Sequence, residues 1–407
     1  MNDNELIQKV LKDEISLHKI EEYVTPEKAV SIRRKVIEEY AKVSLEGIAN
    51  STVEYDKILN KNIENIIGTI SIPLGVAGPI KVNGDTAKGI FYLPIATTEG
   101  ALVASISRGI KAVNESGGAM AHVYRDGMAR APVFEFDTSE KAVEFTKWIE
   151  KNQDKLSNYA NKTTTHGKVK SMSCFILGNN VWLRVLMDTG DAMGMNMLTL
   201  ASEAIAEYIE QNFNGASLVA ISGNMCSDKK ESFVNELFGR GKGVVADCLI
   251  NKKILEKVFG VQAEKVNNLN IKKNLLGSSM AGSSKHNAHF ANVIAGIFAA
   301  TGQDLAQIVE SSSGYTWTEN RGGDLYISVT LPSLEVATVG GGTSIKQQKE
   351  VLSIMGLNSN NNLGDGAKKL AEITAAGVLA GELNLLCALA KKELGAAHKK
   401  LGRNKSN

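Results

Sequence analysis

The stretch from Ser217 to Lys230 reads SLVAISGNMCSDKK and joins an apolar run to a dense group of polar side chains. The run SLVAI is typical of a buried strand, so the side chains after it should emerge from a loop at the strand's end. That loop carries a hydroxyl at Ser222, a carboxylate at Asp228 and ammonium groups at Lys229 and Lys230. It could be ordinary solvated surface, because a charge cluster gains specificity only from partner residues elsewhere.

The segments before this loop follow the order βαββαβ. They are the strand PVFEF, a helix from 139 to 156, the strands GKVKSMSCFIL and VWLRVLM, a helix from 195 to 213, and the strand SLVAI. This order is the ferredoxin-like motif, and about 90 residues suffice for one such module. We therefore predict an α+β fold in which residues 131–220 form a small domain inserted into a larger domain of residues 68–130 and 221–407.

Residues 1–67 are predicted to form a helical N-terminal region. Thr25, Pro26 and Glu27 supply a hydroxyl cap, a proline at the first helical position and an acid that complements the helix dipole. Further along, strand-like runs at 69–73, 79–82 and 90–93 lead to a helix that Thr97 or Thr98 would cap. Later strands are predicted at GVVADCLI, DLYISVTL and SLEVATV, and later helices at about 288–300, 304–310 and 367–394.

Composition limits the possible classes of function. A length of 407 residues with 43% hydrophobic residues predicts two or three domains. The formal charge of +2 gives no global field for nucleic acid or anionic membrane. The four cysteines form no CxxC pair, so we predict no disulfide framework and no metal site. The charged N-terminus and the lack of an uninterrupted apolar stretch of ~20 residues predict a cytoplasmic protein without a membrane segment.

Several other polar positions have an ordinary structural explanation when taken singly. Glu99 and Asp304 each lie at a predicted helix start, and His398 lies near a helix end, where charge complements the dipole. The stretch MDTGDAMGMNML (187–198) offers free N–H groups and methionines suited to a nucleotide, although methionines are also common in cores. TVGGGT (338–343) could approach a ligand or merely turn the chain. GxGxxG and P-loop signatures are absent.

Taken together, these segments resemble the 3-hydroxy-3-methylglutaryl-coenzyme A (HMG-CoA) reductase family over nearly the whole chain. The motifs are ENIIG (64–68), PLGVAGP (73–79), TTEGALVAS (97–105), DGMARAP (126–132), GDAMGMNM (190–197), ISGNMCSDKK (221–230), GQD (302–304) and TVGGGT. DAMGMNM and CSDKK are similar to the biosynthetic class I form shared by archaea and eukaryotes, without the eukaryotic membrane anchor.

The resemblance implies an oxidoreductase that converts HMG-CoA to mevalonate for isoprenoid synthesis and consumes two NADPH per turnover. By matching positions, Lys229 would stabilise the oxyanion formed in each hydride transfer. Glu99 would donate protons, and a buried Asp304 between them would favour its protonated form. His398, on a flexible tail, would protonate the departing coenzyme A thiolate.

The resemblance also implies binding residues. The substrate residues are Arg130, Ser222, Asp228, Lys230 and Asn292, and the coenzyme A residues are Ser105, Arg108, Lys273 and His289. The cofactor residues are Thr164, Thr165, Asp191, Met193, Gly194, Met195, Asn196, Met197 and Arg403. Where relatives carry an arginine beside Thr165, this chain has His166, Lys168 and Lys170, so the group that holds the 2′-phosphate stays open. Asn404 stands where eukaryotic enzymes carry a regulated serine.

The family implies a homodimer or a dimer of dimers with active sites at the subunit interface. One rival interpretation is the same fold working in the oxidative, NAD-linked direction. Another is a catalytically silent coenzyme A or nucleotide-binding protein, which the presence of Glu99, Lys229, Asp304 and His398 argues against.

Overall fold

The computed structural model of the chain describes residues 2–12, 14–15, 17–41, 49, 53–357 and 362–391, so His398 and Arg403 lie outside the described residues. The strands are β1 (Leu74–Gly84), β2 (Lys88–Ala96), β3 (Ala119–Arg130), β4 (Val133–Glu135), β5 (Lys168–Leu177), β6 (Asn180–Asp188), β7 (Ser217–Ala220), β8 (Gly241–Ile250), β9 (Tyr315–Arg321) and β10 (Asp324–Leu334).

The α-helices are α1 (Asp3–Leu11), α2 (Pro26–Ala41), α3 (Tyr55–Ile58), α4 (Leu102–Glu115), α5 (Ser139–Asn161), α6 (Met195–Asn212), α7 (Phe233–Phe238), α8 (Lys252–Phe259), α9 (Ala263–Asn270), α10 (Ser278–Met280), α11 (Phe290–Thr301), α12 (Ile308–Ser311), α13 (Lys346–Ile354) and α14 (Asp365–Ala390). A π-helical segment, Ile271–Gly277, joins α9 to α10. The predicted mixture of helices and sheet is thus confirmed.

One sheet runs through the molecule in the order β7-β4-β6-β3-β8-β10-β9. β1 adds to β3 in parallel and to β2 in antiparallel register, and β5 pairs with β6. Two large hydrophobic cores form on this sheet, one around α14 and one around α5 and α6. The sheet is therefore shared, whereas the cores are separate.

Helix α14 is the centre of the larger core. It packs on α4, β8 and β3, and its apolar side chains are buried on all sides, as expected for a helix without a polar face. By length and composition this helix passes the test for a membrane span, contrary to the sequence-based prediction, but 78% of its most apolar window is buried in the protein. The core accounts for its apolar character.

Two buried glutamates of α14 bind the loops that flank it. Glu372 accepts hydrogen bonds from the N–H groups of Thr86 (3.0 Å) and Ala87 (2.6 Å) in the β1–β2 turn. Glu382 accepts them from Ala288 (2.9 Å) and His289 (2.7 Å). Because the N–H donors satisfy the buried carboxylates, the central helix fixes both loops.

The segment from β4 to β7 contains strands and helices in the predicted βαββαβ order. Its strands lie in the order β7-β4-β6-β5, and every pair is antiparallel. β3 continues past Pro132 into β4, and both strands pair with β6. This segment is thus joined to the larger part through one long strand path.

Some predicted boundaries are wrong. Residues 69–73 are not a strand, since β1 begins at Leu74, and the segment SLEVATV is a strand only to Leu334. Neither Thr97 nor Thr98 caps α4, which begins at Leu102 after Ala101, whose φ is +74°. Thr97 instead accepts a hydrogen bond from the N–H of Glu99 (3.0 Å). This local turn competes with helix formation.

Candidate active site

A cavity of about 510 Å³ brings together three of the glycine-containing motifs. Its lining includes residues 192–197 of GDAMGMNM, 302–304 of GQD and 339–343 of TVGGGT. Helix α6 begins at this cavity with Gly194 as its N-cap, in left-handed conformation (φ +87°). The unpaired N–H groups of an 18-residue helix and a wall of methionines therefore face one space.

Close backbone approach explains two of the glycines at this cavity. A β-carbon on Gly302 would lie 2.5 Å from the carbonyl oxygen of Gly342, and one on Gly342 would lie 2.5 Å from that of Gly302. Any larger residue would push these two loops apart. The loops GQD and GGG are thus held in contact by the absence of side chains.

Asp191, predicted to bind cofactor, has a structural task in this chain. Its carboxylate accepts hydrogen bonds from the N–H groups of Gly364 and Ala367, both at 2.9 Å, at the start of α14. A carboxylate at a helix N-terminus complements the helix dipole. Asp191 therefore ties the GDAMGMNM loop to α14. The residues that follow it in the chain, 192–197, line the cavity, whereas Asp191 does not.

The loop that carries Lys229 has an unusual backbone. Asn224, Ser227 and Lys229 have φ values of +63°, +49° and +60°, which residues other than glycine rarely adopt. Such conformations persist only where surrounding contacts impose them, and they cluster at functional sites. The side chain of Lys229 is exposed, so this backbone sets the point from which the ammonium-bearing side chain extends into solvent.

A buried cluster centred on Arg240 lies beneath this loop. The guanidinium is fully buried and donates to Asp228 (2.9 Å), Glu310 (2.7 Å) and Glu335. Three carboxylates around one cation leave an excess of negative charge in a region of low dielectric. The sequence analysis did not identify Arg240, Glu310 or Glu335.

The acids of this cluster differ in their proton affinity. Burial raises the pKa of Glu335 well above its usual value, and burial likewise raises the pKa of Glu310. Burial alone would raise the pKa of Asp228 too, but Arg240, the amide of Gln307, Lys229 and Arg130 outweigh it, so that pKa is lowered. Asp228, the carboxylate nearest to the loop surface, therefore holds its negative charge more readily than Glu310 or Glu335.

Four of the five predicted substrate residues meet at this loop. Arg130 donates from Nη1 to Ser222 (3.2 Å) and Asp228 (3.4 Å), and from Nη2 to Thr199 (2.9 Å). Its Nε is buried and has no hydrogen-bond partner in the part of the chain that the structure describes. Lys230 donates from Nζ to the backbone oxygen of Asp228 (3.0 Å). The group combines two cations with an unsatisfied donor, which suits an anionic ligand.

The predicted catalytic carboxylates are both exposed in the single chain. Glu99 is exposed, and its Oε1 lies 3.5 Å from Nδ2 of Asn292, the fifth predicted substrate residue. Asp304, expected to be buried, is exposed and accepts from the N–H of Ala306 (3.0 Å) as the cap of a short 3₁₀ turn. In the part of the chain that the structure describes, no hydrogen bond or ion pair joins any two of Glu99, Lys229 and Asp304.

Two of the predicted coenzyme A residues lie along the same side of α14. Ser105 accepts a hydrogen bond from Asn384 (2.7 Å), one turn after Gly381, whose added β-carbon would meet the His289 ring at 3.4 Å. The His289 Nε2 atom is buried, has no hydrogen-bond partner among the described residues, and lies 3.9 Å from Oε1 of Glu382. Arg108, on α4, stacks over the Phe259 ring at 5.3 Å. Lys273 lies in the π-helical segment, a feature found often at functional sites.

The two lysines predicted to lie near the 2′-phosphate of NADPH differ in their contacts. Lys170 is paired with Asp188 (3.3 Å) and donates to the backbone oxygen of Asp126 (2.8 Å). Lys168 is exposed at the start of β5. Thr164 accepts from the N–H of His166 (3.1 Å), and Thr165 is exposed beside it. Lys168 is therefore the cation with the more available side chain of the two.

Comparison with known proteins is consistent along the chain. A family model described as hydroxymethylglutaryl-coenzyme A reductase matches residues 29–403. The 3-hydroxy-3-methylglutaryl-coenzyme A reductase of Aeropyrum pernix is 49% identical over 402 residues, with 98% of this chain and 96% of that protein covered. The Pyrococcus abyssi protein of the same name is also 49% identical, with 99% and 100% covered.

Similarity to a solved structure supports the fold. The class II 3-hydroxy-3-methylglutaryl-CoA reductase from Streptococcus pneumoniae, bound to NADPH in open conformations, aligns with a TM-score of 0.67 at 21% identity. The alignment covers 92% of this chain and 100% of that chain. At this level of identity, the similarity concerns the arrangement of the backbone.

Proposed function

Because the chain belongs to the hydroxymethylglutaryl-coenzyme A reductase family of oxidoreductases, we propose that it reduces HMG-CoA to mevalonate and free coenzyme A with NADPH as the reductant. The observation that carries the proposal is identity of 49% over nearly the full length of two relatives that bear this name. The cavity at α6 fits the reactive end of a dinucleotide, because it offers free N–H groups for phosphate beside an apolar wall of methionines. NADPH supplies hydride when it is bound there.

Lys229 is proposed as the residue that stabilises both developing oxyanions. A thioester becomes an alcohol through two reductions, and each places negative charge on the former carbonyl oxygen. An ammonium held by a constrained loop needs little reorganisation when that charge appears. The left-handed backbone at Lys229 is the observation that supports this role.

Glu99 and Asn292 are proposed to act together at the reacting oxygen. Their side chains are 3.5 Å apart, so a single oxygen could contact both. Glu99 would donate the proton, and Asp304 is proposed as its catalytic partner. His398 is proposed to protonate the thiolate of coenzyme A as it leaves.

The glutaryl carboxylate is proposed to bind at Arg130. The unsatisfied Nε of this arginine and the long contacts of its Nη1 leave donors for a bidentate carboxylate. Ser222, Asp228 and Lys230 surround it. Ser105, Arg108, Lys273 and His289 are proposed to bind coenzyme A, whose phosphates need local cations in a chain of formal charge +2.

We further propose that residues 131–220 act as an inserted ferredoxin-like, cofactor-binding domain, and that the active site is completed in a homodimer or a dimer of dimers. The exposed positions of Glu99 and Asp304 support a site finished by a second copy. Large apolar side chains are also exposed just before β1, on β1 and on β2: Ile70, Ile72, Leu74, Val76, Ile90 and Tyr92. We propose a cytoplasmic location.

The test is an assay of purified protein with HMG-CoA, comparing NADPH with NADH and detecting mevalonate and free thiol. The proposal expects mevalonate with a higher kcat/KM for NADPH. A preference for NAD and mevalonate oxidation would support the degradative direction instead. Binding of coenzyme A without turnover would indicate a silent binding protein.

A further inference from the structure

Glu310 has no role among the residues considered so far, yet it contacts the loop of the proposed catalytic lysine directly. Its Oε1 accepts a hydrogen bond of 2.7 Å from the backbone N–H of Lys229. The side chain of Glu310 is 1% exposed and lies on α12, whereas the side chain of Lys229 is exposed. We propose that Glu310 is a positioning residue that sets the backbone of Lys229 and thereby the place of its ammonium. This inference rests on the proposed function.

The hydrogen bond matters because the backbone it holds is unfavourable by itself. Lys229 has φ +60°, a region that a residue with a β-carbon leaves when no contact imposes it. Two residues earlier, Ser227 is also left-handed, and its carbonyl oxygen accepts from the buried Asn235 (3.1 Å). The loop is therefore fixed at two points, by one acceptor and one donor that both come from the core.

Glu310 is itself fixed from below. Arg240 Nη1 donates to its Oε1 at 2.7 Å and to Gln307 Oε1 at 2.9 Å. Gln307 in turn donates to Asp228 Oδ1 at 3.0 Å, next to Lys229 in the chain. This closed set of bonds leaves Glu310 little freedom, so its position is transmitted to the Lys229 amide.

Charge balance argues against a purely structural reason for Glu310. Arg240 already has Asp228 and Glu335 as carboxylate partners. A third buried carboxylate on the same guanidinium adds repulsion and a desolvation cost. What Glu310 adds, and neither of the other two acids provides, is the bond to the Lys229 N–H.

Two substitutions at Glu310 separate the position of its acceptor oxygen from the charge of its side chain. Glu310→Gln keeps the acceptor oxygen at the same distance and removes the charge, whereas Glu310→Asp keeps the charge and withdraws the oxygen by one methylene. We expect Glu310→Gln to retain kcat within about threefold. Glu310→Asp should lower kcat by roughly 10- to 100-fold, since a displacement of about 1 Å can cost that much, with the KM for HMG-CoA changed less than about threefold.

Glu372→Asp is the matched control. It shortens another buried glutamate that accepts backbone N–H groups from a loop, here Thr86 and Ala87 far from the Lys229 loop in the chain. It should lower the melting temperature and leave kcat within about twofold. Melting temperatures of all variants establish that folded proteins are compared.

The reverse order, with Glu310→Asp active and Glu310→Gln inactive, would show that charge matters and would overturn the positioning role. So would equal and full activity of both variants. If one of them fails to fold, the kcat of the other still decides, because each has its own expected value. A wild-type protein that makes no mevalonate would overturn the proposed function itself, and this inference with it, whereas an active wild type with the wrong variant order overturns the inference alone.

Discussion

Replacing Lys229 should separate activity from stability, because this residue combines a proposed catalytic ammonium with an unfavourable backbone. Lys229→Ala removes the charge that would stabilise the oxyanion in both reductions. Loss of one preorganised oxyanion partner typically costs ~10² to 10³ in rate. We expect that loss for HMG-CoA and also for added mevaldehyde, the intermediate of the second reduction.

Lys229→Gly should be equally inactive but more stable than Lys229→Ala. A β-carbon in the left-handed region costs about 1–2 kcal/mol, and glycine ordinarily loses about 0.5–1 kcal/mol to backbone entropy. With φ +60° at Lys229, the difference favours glycine by roughly 0.5–1 kcal/mol. For a chain of 407 residues, this corresponds to about 1 °C in melting temperature. Both variants keep the backbone N–H that Glu310 accepts.

Mevaldehyde and HMG-CoA turnover, with melting curves of the two variants recorded side by side, test this reasoning. Near wild-type reduction of mevaldehyde by Lys229→Ala would refute the catalytic assignment. A glycine variant less stable than the alanine variant would refute the strained backbone. The two conclusions are independent, since one concerns the ammonium and the other the main chain.

Three further predictions follow from the site. Burial raises the pKa of Glu335, so the unfolded chain releases this proton at lower pH than the folded protein does. The stability of the fold should therefore decrease as pH rises from about 4.3 towards the raised pKa. Glu335→Gln should remove that decrease in melting temperature, and a difference from wild type that does not change with pH would contradict this prediction. Lys168→Ala and Arg403→Ala should raise the KM for NADPH and leave the KM for NADH nearly unchanged. Lys170→Ala should raise the KM for NADPH less, because Lys170 is paired with Asp188. An equal rise in KM for both cofactors would indicate a structural role. His398→Gln should slow turnover of HMG-CoA severely but spare mevaldehyde reduction, which releases no thiolate, and equal loss in both assays would remove His398 from thiolate protonation.

The sequence located elements with a strong local signal well. The βαββαβ order from 131 to 220 was predicted because turn residues separate runs of clear period, and α2 was found from its Thr-Pro-Glu start. The predicted start of α4 is wrong, because the turn at Thr97 and the left-handed Ala101 override the threonine capping signal. Residues 119–130 are not predicted as a strand, since the pairing that makes them β3 comes from the distant β8. Residues 315–321 are also missed, although β9 pairs with the adjacent β10 in a hairpin.

By itself, the sequence determined the family and the motifs, because both are written in consecutive residues. Only the tertiary structure brought GDAMGMNM, GQD and TVGGGT to one cavity, engaged Asp191 with the start of α14, and left Asp304 exposed. Only the tertiary structure, too, placed Glu310 and Glu335 on Arg240 beneath the Lys229 loop. These contacts join residues separated by 70 to 176 positions. Hydrogen bonding and desolvation at such positions depend on which distant groups share a buried site, and no local pattern of residues records that.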